Sequence, residues 1–261
     1  MDDQLIRLEM TGGCAVLRFT RPERRNPYGM AFITELLDHL EALGADDAVR
    51  AVVMTGGRHF SAGGDLPDFS KIVAKGARAT QEMMDRVGQA ARACWTFPKP
   101  LIAAVEGVCF GAGMSLALSA DVIVAGEDAR FCQIFSRIGG CPDAGSSWLL
   151  QHRIGGGAAR LLVLTGREVK GPEAQQMGLV ELCVPADAVE ATALALAKEI
   201  AAGPLFGVIG AKRVMREVAN CSFEEALMIE GKSQSVLLST DDMRESMAAF
   251  TEKRKAVYHD R

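Results

Sequence analysis

One carboxylate in this chain stands where proton chemistry is easily built. Asp143 lies in the run Gly139-Gly-Cys-Pro-Asp-Ala-Gly-Ser-Ser-Trp148, between the apolar segment 131–138 and Trp148-Leu-Leu150. A lone carboxylate among small and apolar residues is a candidate general base, because losing hydration raises its pKa. The plainer alternative is a helix cap, since aspartate is a common residue at turns and N-caps. Two glycine turns offer the other half of a reaction. Phe60-Ser-Ala-Gly-Gly-Asp-Leu66 follows a strand, and Gly107-Val-Cys-Phe-Gly-Ala-Gly-Met-Ser115 joins a strand to a helix. Each can present a backbone N–H free of side-chain obstruction, and the second opens a helix whose N-terminus favours negative charge. Two donors converging on one carbonyl oxygen form an oxyanion hole, able to stabilise an enolate or a tetrahedral oxyanion. A third glycine run, Arg153-Ile-Gly-Gly-Gly-Ala158, also reads as a turn. Gly111-Ala-Gly113 lacks the third glycine of a dinucleotide fingerprint, which argues against nicotinamide binding.

The elements that must position these groups follow from apolar spacing. Strands are expected at 14–19, 49–54, 101–105, 122–125 and 179–184, and an amphipathic helix at about 29–44. A polar, mobile segment is expected from Leu66 to Ala79, then a helix to about Trp95, ended by Phe97-Pro-Lys-Pro100. From Ala186 onward the pattern is wholly helical, with four helices at 186–202, 204–220, 223–239 and 242–255. The fold class is therefore α/β with a helical tail: a body over 1–200 and a C-terminal helical region over 201–261.

Bulk properties exclude several functions. The 261 residues carry a net charge of −4 and are 49% hydrophobic and 24% charged, with no electrostatic footprint for nucleic acid. No stretch of about 18 apolar residues suggests a membrane span, and the first residues lack the pattern of a signal peptide. Seven scattered cysteines without CxxC pairs, and four histidines without an HxxxH pair, argue against a disulfide framework or a metal site. A cytoplasmic location is the simplest expectation.

Taken in order, these residues resemble the crotonase superfamily, the enoyl-CoA hydratase and isomerase family, over nearly the whole chain. The matching stretches are Arg21-Pro-Glu-Arg-Arg-Asn-Pro27, the two glycine turns (60–66 and 104–113), Ser119-Ala-Asp-Val122 and Pro142-Asp143. They continue through Thr165-Gly166, Ala174 with Gly178-Leu-Val180, and Phe250-Thr-Glu-Lys-Arg254. The resemblance implies a spiral of ββα turns with C-terminal helices used for trimerisation, in homotrimers or hexamers. It also implies an acyl-CoA thioester substrate, with coenzyme A as part of the substrate and no separate cofactor. By position, the N–H groups of Gly64 and Ala112 would form the oxyanion hole. Ala62, Asp65 and Leu66 would line the adenine site, and Arg25, with Lys253 from a neighbouring subunit, would meet the CoA phosphates.

Two departures bear on the chemistry. Hydratases of this family carry two glutamates where this chain has Ser115 and Phe135, and neither side chain can replace a carboxylate as a base near neutral pH. Asp143 instead matches the acid of isomerases that move a double bond between C3 and C2. The run Phe135-Ser-Arg-Ile-Gly139, Pro142-Asp143, Gly145, Trp148-Leu-Leu150 resembles the ring-modified phenylacetyl-CoA isomerases. The resemblance then implies one base, Asp143, carrying a proton from C2 to C4 through a dienolate in a pocket walled by Phe135, Ile138 and Trp148, with Ser115 nearby. Other readings stay open: a hydratase with another way of holding water, a non-catalytic acyl-CoA binder, a dehalogenase using Asp143 as nucleophile, and Asp143 as a mere cap.

Overall fold

A computed structural model describes residues 4–259. Two strands open the chain, β1 (Ile6–Thr11) and β2 (Cys14–Phe19), paired antiparallel through Thr11 and Cys14. Gly12 and Gly13 form the hairpin turn with φ of 56° and 78°, a left-handed pair that glycine adopts without strain. Then follow α1 (Met30–Ala45), β3 (Ala51–Thr55), α2 (Leu66–Val73), α3 (Ala77–Trp95), β4 (Leu101–Val105), β5 (Val108–Phe110) and α4 (Ala112–Leu118). The second half continues with β6 (Val122–Gly126), β7 (Arg130–Cys132), α5 (Ser146–Thr165), β8 (Val169–Lys170), α6 (Gly171–Gln176) and β9 (Leu182–Val184). Four helices close the chain: α7 (Val189–Ala201), α8 (Leu205–Glu217), α9 (Phe223–Leu237) and α10 (Asp241–Glu252).

The strands form a six-stranded sheet, β1-β2-β3-β4-β6-β9, parallel from β2 onward, and a three-stranded sheet, β5-β7-β8. One plan recurs: β4–β5–α4 and β6–β7–α5 each place a strand in the large sheet, a short strand in the small one, and then a helix. A reduced copy follows β3, where Ser61 bridges Cys109 of β5 before α2 begins. This is the expected α/β spiral of ββα turns.

Strands β3 and β4 are buried on both faces, which is why they read as unbroken apolar runs. Val52, Met54, Leu101, Ala103 and Val105 join the main core with α1 and α3, while Ala51, Val53, Ile102 and Ala104 face a second core. That second core is closed by Val189, Ala193, Ala197 and Ala201, four small residues at i, i+4 spacing on α7.

Several expected boundaries move. The segment 66–79 holds α2 and the start of α3, because the Asp65 carboxylate caps α2 by accepting the Asp68 N–H, and Pro67 fits its first turn. The stretch 153–158 is not a turn between elements but a break inside α5, at Gly155 with φ 74° and ψ 158°. The turn 107–113 contains β5, and the strand expected at 179–184 is paired only over 182–184.

Beyond α7 the chain packs lightly on itself. Helix α8 buries only Leu205, while Phe206, Met215, Phe223, Met228, Val236 and Phe250 stand exposed. Polar clamps hold this region to the body: Arg50 donates to the Ala201 and Gly203 carbonyls, and Lys212 to the Asp121 carboxylate and the Lys99 carbonyl. Among the described residues, no single helix is long and apolar enough to cross a membrane.

Candidate active site

Strand pairing sets the two glycine turns side by side. Phe60 N–H donates to the Glu106 carbonyl, Ser61 N–H to Val108, and Phe110 N–H back to Ser61, so the first turn rides on β5. Asn26 fixes it from the other side. Its side chain donates to the Gly56 and His59 carbonyls, and its own carbonyl accepts the Ser61 hydroxyl at 2.7 Å. Tyr28 N–H then holds the Gly63 carbonyl at 2.8 Å, while the Gly64 N–H makes no bond among the described residues.

The packing is too close for side chains at two places, and the backbone conformation favours glycine at a third. A Cβ on Gly63 would lie 2.8 Å from the Phe110 carbonyl oxygen and 3.5 Å from the Ala112 nitrogen; one on Gly113 would lie 2.5 Å from Ser61 Cβ. Gly111 has φ 50° and ψ −125°, a conformation that glycine alone adopts easily. Ala112 is the first residue of α4, where an alanine fits and the N–H has no intrahelical acceptor. Gly64, Gly111 and Ala112 border one cavity of about 1380 Å³. Two unspent backbone donors therefore face the same space.

Asp143 lies in the wall of the same cavity. The cap reading is overturned: α5 is capped by Gly145 with no side-chain bond, and it is the Asp143 backbone carbonyl that accepts the Ser146 N–H and hydroxyl, each at 2.9 Å. The carboxyl oxygen Oδ1 is buried and has no hydrogen-bond partner among the described residues. Burial without a compensating donor disfavours the charged form and pushes the pKa up to about 6. Its neighbour Ala144 is held at φ 48°, a left-handed conformation for a residue with a Cβ. Gln133, buried behind the turn, also has an unpartnered Nε2, and its Oε1 lies 3.4 Å from the Ser146 hydroxyl.

The other expected residues divide. Ala62, Leu66, Phe135, Ile138 and Trp148 border the cavity. Phe135 is buried, whereas Ile138 and Trp148 are exposed enough that they do not seal Asp143 from water. Ser115 does not reach the cavity. It is fully buried and its hydroxyl donates to the Gly111 carbonyl, one helical turn back.

Arg25 is exposed at a left-handed turn and meets the site through its carbonyl, which accepts the Ala62 N–H at 2.8 Å. Arg92 borders the site cavity itself, whereas Arg21, Arg24 and Lys71 border a separate cavity of about 370 Å³ together with Asp65. Asp65 caps α2 and pairs with Arg24 at 3.3 Å, so its side chain is engaged. Lys253 is an exposed residue ending α10, and it borders neither cavity within one chain. The segment from Leu66 to Met84 is expected from the sequence at the acyl pocket, and Met84 borders the cavity from α3; Trp95, on the same helix, borders it too and was not foreseen. The one available signal was its place on the apolar stripe of that helix.

A family model described as enoyl-CoA hydratase/isomerase matches residues 9–261. The chain is 35% identical to the 2,3-dehydroadipyl-CoA hydratase of Escherichia coli, over 92% of each chain. It is 32% identical to the 1,2-epoxyphenylacetyl-CoA isomerase of the same organism, over 94% of this chain and 95% of that one. Among solved structures, an enoyl-CoA hydratase from Bacillus anthracis superposes with a TM-score of 0.94 at 27% identity, over 99% of this chain and all of the other.

Proposed function

We propose that this chain, which belongs to the enoyl-CoA hydratase/isomerase family, is an isomerase that moves a double bond between C3 and C2 of an enoyl-CoA thioester. The observation that carries this reading is the buried, unpartnered carboxyl oxygen of Asp143, in the same cavity as the Gly64 and Ala112 donors. The thioester oxygen accepts from those two N–H groups, which stabilise the charge that develops on it. Asp143 takes a proton from C2, leaving a dienolate, and returns it to C4 as the double bond settles between C2 and C3. Atoms balance with no cofactor, because the proton that leaves is the proton that returns. A carboxyl with a pKa of about 6 is still a base at neutral pH, and a stronger one than an ordinary carboxylate.

Hydration is the second reading, favoured by the hydratase among the relatives. It fits this site less well. Ser115 is tied to Gly111 and Phe135 is apolar, so Asp143 would have to position and activate water alone. For the ligand's far end we propose that Arg21, Arg24 and Lys71 meet the CoA phosphates beside the Ala62 and Leu66 backbone. Arg25 adds charge at the rim, and Lys253 approaches from a second subunit. The exposed apolar residues of α8–α10 serve self-association into trimers or hexamers, in the cytoplasm.

The test is isomerisation of 3-enoyl-CoA, with hydration of 2-enoyl-CoA measured beside it, for wild type and Asp143→Asn. Isomerisation should dominate in the wild type and fall about 10²–10⁴-fold in the variant, the usual worth of a general acid–base. Dominant hydration, or a variant as active as wild type, sinks the assignment.

A further inference from the structure

The acyl cavity is not the only large hollow in this chain. A second one, of about 910 Å³, lies between the body and the helices α7 and α8. The two share a wall, because Trp95, Trp148 and Leu149 border both. Trp95 ends α3 and Trp148 stands in the first turn of α5, so the wall is where two helix ends meet. The indoles touch edge to face with centroids 5.2 Å apart, and His152 stacks on the far side of Trp148 at 3.6 Å. Neither indole N–H makes a hydrogen bond within the described residues, so these rings are held by packing alone. Leu149 is a buried member of the main core, whereas Trp148 is 37% exposed. Trp148 is thus the part of the wall that can change without unravelling the core. Beyond it the second cavity is bordered by Leu118, Ile200, Val208 and Met215, with the charged Asp121, Arg153, Glu181, Glu199, Lys212 and Arg216 also in its wall.

Resting on the acyl-CoA reading of the site, we infer that Trp148 is the specificity-determining residue that ends the acyl pocket, and that the second cavity is its blocked extension. The wild type selects acyl groups that stop at the indole. Shortening the side chain joins the two cavities and admits longer chains. Each methylene newly buried against apolar surface is worth about fourfold in binding, so a chain with two more buried carbons gains about fifteenfold.

The first measurement is kcat/KM for 3-hexenoyl-CoA and 3-decenoyl-CoA with wild type and Trp148→Ala. The two substrates differ by four methylenes, so the ratio of long to short chain should rise about fifteenfold or more in the variant, the gain from burying at least two of them. An unchanged ratio in an active, folded variant overturns the inference and leaves the isomerase reading standing. The second measurement uses the unaltered protein and needs no turnover. The chain has only two tryptophans, both in this wall, so its intrinsic fluorescence reports on the partition alone. Saturated hexanoyl-CoA should perturb that emission more than acetyl-CoA at equal saturation, with occupancy fixed by calorimetry. Identical emission with both overturns the inference, even where Trp148→Ala fails to fold. Absence of any acyl-CoA binding by calorimetry overturns the inference and the underlying reading together.

Discussion

Asp143 ties protonation to two separate observables. As a base it must be ionised, so kcat/KM for isomerisation should rise with pH through an apparent pKa near 6 and level off above it. Stability moves the other way. An unfolded aspartate ionises near a pKa of about 4, so between that point and about 6 the folded protein holds a proton that the unfolded chain has lost. Folding stability therefore falls as pH rises through this window and is flat beyond it. Asp143→Asn lacks the effect, so it should gain on wild type by about 2 kcal/mol between pH 4 and pH 7, read from urea melts at both. No such gain would show that the carboxyl is better solvated than its burial implies. Ala144, with φ 48°, is the second residue of interest. Ala144→Gly should be neutral or mildly stabilising, and Ala144→Val should cost about 2 kcal/mol in the same melts. Asp143 was legible because an acid between proline and small residues is conspicuous. Ser115 was expected near the pocket, but its hydroxyl bonds one helical turn back to Gly111, and such a bond leaves no periodic trace.

At the scale of elements, the proposed oxyanion hole depends on how closely one turn can approach the start of α4. Gly113→Ala would set a methyl group 2.5 Å from Ser61 Cβ and 2.6 Å from its carbonyl oxygen, and backbone cannot yield as a side-chain tip can. The turns must separate. The expected result is a loss of about 10²-fold in kcat, the cost of one displaced donor, with KM changed much less. A comparable rise in KM with kcat intact would mean that the approach of these turns serves binding and not charge stabilisation. The glycine turns, the long helices and the buried parallel strands could all be read from the sequence, since each carries a repeating pattern. Strands β5, β7 and β8 could not. They are two or three residues long, too short for any alternation, and exist only because the small sheet assembles them. Helix α2 was missed for a related reason. It buries no residue, so its one sequence signal was the cap formed by Asp65 and Pro67.

For the molecule as a whole, the body holds two cores on either side of one sheet, while α8–α10 add surface more than interior. So much exposed apolar side chain on one region calls for a partner. Light scattering in solution should return three or six times the chain mass of 27.9 kDa; a single-chain mass would remove the basis for self-association. The α/β body with its helical tail was legible as a sequence of elements, but the clamps at Arg50 and Lys212 that join them span more than 90 residues and left no local mark. The placement of the donors at Gly64 and Ala112 has a further consequence. These groups are main chain, encoded by no particular side chain, whereas the groups facing them at Phe135 and Asp143 are single residues on separate segments. On the proposed reading, a duplicated gene could therefore inherit the machinery for holding an enolate intact and acquire a different reaction through one or two codon changes, without ever passing through an ancestor that had lost its fold.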